Sequence, residues 1–95
     1  MSEVVEQAVN ALSEKMKGVT FDGSAKFVIK NEGSIVIDTD GVRASEDETE
    51  VTLIATAETF QNIMNGELDA TSAFMSGKLQ IEGDMGTAMR LNGIL

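Results

Sequence analysis

Carboxylates are the reactive side chains this sequence supplies most freely. Asp38-Thr39-Asp40-Gly41 opens like a calcium loop, and Glu46, Asp47, Glu48 and Glu50 follow it. Calcium coordination of that type needs further spaced oxygen ligands and a terminal Glu, and the residues after Gly41 do not provide them. A solvated hairpin edge is the expected role, with charges that discourage edge-to-edge sheet association. Paired carboxylates can also act as general acid and base. Here they fall on turns and exposed strand positions, and the chain has no His, Cys or Tyr to work with them. Nucleophile–base pairs, His-ligated zinc and haem held by His or Cys are thereby removed. No catalytic residue, metal site or cofactor is assigned, and no enzymatic activity is expected. Lys78 and Arg90 are the basic residues of the last third; they could meet an anionic headgroup or be ordinary solvated surface.

The overall charge narrows the partners. Seven basic residues stand against sixteen acidic ones, a formal net charge of −9. A nucleic-acid face needs clustered Lys and Arg, so none is expected. Anionic membranes should repel the average surface, which leaves transient membrane contact disfavoured. No apolar run approaches the length of a membrane span. The start, Met1-Ser2-Glu3-Val4-Val5-Glu6, is unlike a secretory signal, and the end, Asn92-Gly93-Ile94-Leu95, is unlike a peroxisomal Ser-Lys-Leu tail. A cytoplasmic protein of one domain, residues 1–95, is expected. Hydrophobic residues make up 42% of the chain, which is enough for a core.

The periodicity gives the elements that would position these residues. Ser2 can cap a helix running to about Lys17, with Val5, Ala8, Leu12 and Met16 on its buried face and Gly18 as its stop. Ala25, Phe27 and Ile29 alternate with Lys26, Val28 and Lys30 in a half-buried strand. Ile35 and Ile37 alternate in the same way after an Asn31-Glu32-Gly33 turn. Asp40-Gly41 turns into a third strand over 42–45, and Val51, Leu53 and Ala55 mark a fourth. Consecutive strands with short turns predict an antiparallel meander. Thr56 can cap a helix bearing Phe60, Ile63 and Met64, closed by Gly66. Asp69 can cap a second with Ala73, Phe74 and Met75, closed by Gly77. Residues 78–82 alternate as a strand. Asp84 caps a last helix with Met85, Ala88 and Met89, and Leu91, Ile94 and Leu95 extend its apolar surface. This order predicts an α+β fold: a five-stranded, mainly antiparallel sheet with helices on one face.

The last third also carries a resemblance. Residues 74–91, read as Phe74-Met75-Ser76-Gly77-Lys78-Leu79-Gln80-Ile81-Glu82-Gly83-Asp84-Met85-Gly86-Thr87-Ala88-Met89-Arg90-Leu91, resemble the signature of the sterol carrier protein type 2 family. The passages Glu50-Val51-Thr52-Leu53, Thr56 to Phe60, Met64-Asn65-Gly66-Glu67-Leu68 and Phe27-Val28-Ile29-Lys30 with Gly33 are similar to the family's upstream elements. Many members have Gln where this chain has Ser76. The resemblance implies an apolar tunnel between the sheet and its helices. The implied ligand is a fatty acid, fatty acyl-CoA, phospholipid or sterol, held with broad selectivity and carried or stored without catalysis, here by a stand-alone domain.

The residues expected to line that tunnel are Phe27, Ile29, Ile35, Ile37, Val51 and Leu53 on the sheet. From the helices and the last strand they are Phe60, Ile63, Met64, Phe74, Met75, Leu79, Ile81, Met85 and Met89. An apolar stripe on a helix is ordinarily core, and a tunnel wall reads the same way in sequence. Methionine suits a wall that accepts varied apolar shapes. The alternative is a protein-interaction or accessory module with this fold, a filled core and no ligand. The oligomeric state is not encoded in any of these patterns.

Overall fold

Acidic Glu3 and Glu6 near the amino end and Lys15 in the last turn suit the dipole of α1 (Glu3–Lys15), whose Val5, Ala8 and Leu12 are buried as their spacing predicts. The computed structural model describes residues 3–95, so a cap at Ser2 lies outside the described residues. Five strands follow, interrupted by helices: β1 (Ala25–Ile29), β2 (Gly33–Asp38), β3 (Gly41–Ala44), β4 (Val51–Ala55) and β5 (Gln80–Gly83). Between β4 and β5 lie α2 (Ala57–Met64) and α3 (Ala70–Met75), and α4 (Met85–Asn92) ends the fold.

The sheet order is β3-β2-β1-β4-β5. β1–β2, β2–β3 and β4–β5 pair antiparallel, but β1 and β4 pair parallel, with Ala25 opposite Val51 and Phe27 opposite Leu53. The α+β class and the five strands are as expected. The four-strand meander is corrected: it stops at β3, and β4 is inserted on the far side of β1. Turn residues report only the sequence-adjacent pairings, whereas β4 finds a strand far away in the chain.

The route of that insertion has a consequence. Residues 45–50 return across the sheet face opposite the helices. There Lys26 Nζ donates to the Glu46 carbonyl at 3.4 Å, and Arg43 reaches Asp47 at 3.6 Å. Val36, between Lys26 and Arg43 in the register, is therefore buried although it points away from the helices. The stems of those two long side chains and the crossing loop shield it.

The helices share the other face. α1 packs on β2 and β3 and touches α2, while α4 packs on β1, β4 and β5. One apolar cluster joins Val5, Leu12, Phe27, Ile29, Ile35, Ile37, Val51, Leu53, Phe60, Ile63 and Leu91.

Candidate functional site

Three polar side chains start the helices that follow β4, of which α3 and α4 wall the site. Thr56, Asp69 and Asp84 accept from the backbone N–H of Thr59, Ser72 and Thr87, satisfying donors the first turn leaves free. Asp84 is the most elaborate cap. The buried Thr87 hydroxyl donates to Asp84 and stands 3.3 Å from Glu50 Oε2, and Arg90 Nη2 donates to it at 3.1 Å. Hydrogen bonds from the Thr87 hydroxyl and backbone hold the Asp84 carboxyl below its ordinary range, with help from the Arg90 charge. The Asp84 amide also donates to the Glu50 carbonyl at 2.9 Å, and the Glu50 amide donates to Ser24 Oγ at 2.9 Å. This network ties the amino end of α4 to the entry of β4.

Gly83 makes that approach feasible. Its φ is +107°, and an added Cβ would sit 2.5 Å from the Glu50 carbonyl oxygen. Only glycine fits both the conformation and the gap.

α4 so placed leaves space between itself, α3 and the β4–β5 edge. An apolar cavity of about 300 Å³ opens there, lined by Leu53, Ala70, Thr71, Phe74, Leu79, Ile81, Met85, Ala88, Met89, Asn92 and Leu95, and it opens to solvent along one side. The polar lining side chains are Thr71 and Asn92, and Asn92 Nδ2 donates to Thr71 Oγ1 at 3.4 Å. A depression of about 490 Å³ at α1 is larger, but Glu3, Glu6, Gln7 and Asn10 line it together with Val9 and Ala44, so its wall is mixed rather than apolar. Among the described residues no cluster of three His, Cys, Asp or Glu side chains could hold a metal. No helix among them is long and apolar enough to cross a membrane.

The structure brings six of the expected lining residues to the cavity: Leu53, Phe74, Leu79, Ile81, Met85 and Met89. It places Phe27, Ile29, Ile35, Ile37 and Val51 elsewhere, in the close-packed centre and away from that void. Alternation fixes the face of a strand but not whether α1 or open space lies above it. Phe60 and Met64 flank a separate depression between α1 and α2, and Ile63 flanks a small one near Leu68. Met75 is exposed beside the cavity without lining it. Arg90 turns towards Thr87, and neither it nor Lys78 lines the cavity. Ser76 caps α3, its hydroxyl donating to the Ala73 carbonyl at 3.2 Å. Asp38, the start of the calcium-like stretch, accepts from Arg43 Nη1 and from the Asp40 amide, each at 3.0 Å.

Ala70, Thr71, Ala88, Asn92 and Leu95 line the cavity without having been among the residues expected to do so. Ala88 and Leu95 do lie on the apolar face expected of α4.

Comparison with known proteins agrees with this architecture. The family model described as the SCP-2 sterol transfer family matches residues 3–95. The peroxisomal multifunctional enzyme A of Dictyostelium discoideum is 38% identical over 79 residues, covering 83% of this chain and 17% of that protein. This chain spans 17% to 23% of the length of the first curated relatives it matches. Among solved structures, the sterol carrier protein 2 like 2 of Aedes aegypti superposes with a TM-score of 0.83 at 19% identity, covering 97% of this chain and 96% of that one. The sterol carrier protein 2 of Aedes aegypti in complex with palmitate, a C16 fatty acid, superposes with a TM-score of 0.78 at 19% identity, covering 98% and 94%.

Proposed function

This chain belongs to the SCP-2 sterol transfer family, and on that premise we propose that it binds one lipid by its acyl chain in the cavity between β4, β5, α3 and α4. The observation that carries the reading is the lining: nine of its eleven residues are apolar, on a chain whose net charge is −9. A groove of that composition on an acidic protein is suited to an apolar ligand. Each methylene transferred from water contributes about 0.8 kcal/mol, so ten of them contribute roughly 8 kcal/mol before ordering terms.

The palmitate complex of the Aedes aegypti protein supports a single-chain fatty acid as the first ligand to try. The 300 Å³ present lies at the low end of the roughly 300–1,000 Å³ usual for small-molecule sites. A long chain therefore requires α3 and α4 to part. Met85 and Met89 of α4, both exposed and both lining the cavity, can re-pack at little expense as they do so. One methylene more or less changes binding little, so selectivity among chains is broad. Transfer between membranes, rather than storage, is part of the proposal, and acyl-CoA, phospholipid and sterol rank below a fatty acid for want of space.

Delipidated protein titrated with a fluorescent fatty acid tests the reading. Saturation at one ligand per chain, with displacement by palmitate, is expected. A protein that neither copurifies with lipid nor takes up the probe would instead be the filled interaction module.

A further inference from the structure

The large hydrophobic side chains that stay exposed are not scattered. Among the described residues they are Val19 at 44%, Phe74 at 41%, Met75 at 81%, Met85 at 47% and Met89 at 72% exposure. Four of those five sit on α3 and α4 around one cavity mouth. Met75 makes no wall of the cavity, so ligand contact does not account for it.

Charge is segregated in the same sense. Residues 69–95 carry Lys78 and Arg90 against Asp69, Glu82 and Asp84, a balance of −1, so −8 of the chain's −9 belongs to residues 1–68. The acidic bulk would be repelled by an anionic membrane, but the mouth itself presents thioethers and a phenyl ring with almost no net charge. That combination matches a surface that is apolar within and electrically neutral outside.

We propose that the rim formed by the end of α3 and the outer side of α4 docks on a zwitterionic lipid surface, with Met75 as an inserting side chain that serves docking and not ligand binding. The inference rests on the lipid-binding reading of the same cavity, because a mouth pressed to the membrane lets an acyl chain pass without crossing water. It assigns the orientation of the whole molecule: the β5 end of the sheet, with α3 and α4, lies down, and the β3 end, over which α1 packs, lies away from the bilayer.

The test is co-flotation of the full chain with phosphatidylcholine vesicles at low ionic strength, alongside vesicles enriched in phosphatidylserine. Met75→Gln keeps the length and helix preference of the side chain and removes its apolarity; Val19→Gln is the control at an exposed apolar residue elsewhere. Wild-type protein should float with phosphatidylcholine, and Met75→Gln should weaken this about tenfold. Val19→Gln should match wild type. Phosphatidylserine should weaken flotation, and added salt should narrow the gap. Both variants should keep wild-type affinity for a fluorescent fatty acid in solution. Flotation unaffected by Met75→Gln, equal losses in the two variants, or no flotation of wild type would overturn the proposal. So would a concentration-dependent dimer abolished by Met75→Gln, which would give the rim to a second copy. Flotation without any uptake of soluble lipid would leave the docking rim standing and remove the lipid-carrier reading instead.

Discussion

Phe27 of β1 and Phe60 of α2 meet edge to face, with ring centroids 5.2 Å apart and planes at 71°. Both rings are buried. Their contact joins the central strand to its helical cover, while the open space lies at the β4–β5 end under α4. The fold thus separates a close-packed half from a half that holds open space.

Phe27→Ala removes one ring of the pair from the packed centre. Loss of about 3–5 kcal/mol of stability is expected, read as a lower urea midpoint with an unchanged slope. A loss below about 1 kcal/mol would show that the centre is loosely packed.

Ala70→Leu places a larger side chain into the cavity from α3. Fatty-acid affinity should fall at least about tenfold, while the melting temperature stays the same or rises, because empty space is filled. Unchanged affinity would locate the ligand elsewhere. Met85→Asp should also abolish binding, by setting a charge in the apolar wall.

Gly83→Ala confronts both a φ of +107° and a 2.5 Å approach to the Glu50 carbonyl. A destabilisation of about 3 kcal/mol is expected. Gly77 also has positive φ, at 81°, but nothing lies within 4 Å of its added Cβ. Gly77→Ala should cost about 1 kcal/mol. Equal effects at the two sites would deny the close approach its importance.

The Asp84 cap makes stability depend on pH at the acid end. Its carboxyl is held below the ordinary 3.8 by Thr87, so the folded state favours the charged form. Its contribution is present above that ordinary value and is lost as pH falls through the lower folded value. Asp84→Asn keeps a capping side chain but no titrating group. The melting temperature of the variant should therefore fall less steeply below about pH 4 than that of wild type. Parallel curves would mean that other carboxylates set the acid limit.

Much of the fold was legible because its signals are local. The caps at Thr56, Asp69 and Asp84 follow from a side chain that can reach a backbone amide three residues on. The inward faces of β1 and β4 follow from strict alternation. The parallel β1–β4 pairing was not legible. It depends on residues 45–50 crossing the back of the sheet, and the burial of Val36 is decided by the same crossing.

The sequence by itself determined which residues are apolar and on which side of each element they lie, since these are set by the period of the backbone and by contacts a few residues long. Only the tertiary structure decided which apolar residues face one another and which face a void. Phe27 and Met85 read alike as inward residues. Phe27 meets Phe60 and is sealed, while Met85 stands over a gap because the clasp of Asp84, Thr87 and Glu50 fixes α4 at its amino end. Whether a greasy surface becomes core or binding site depends on what stands opposite it, and that partner is distant along the chain.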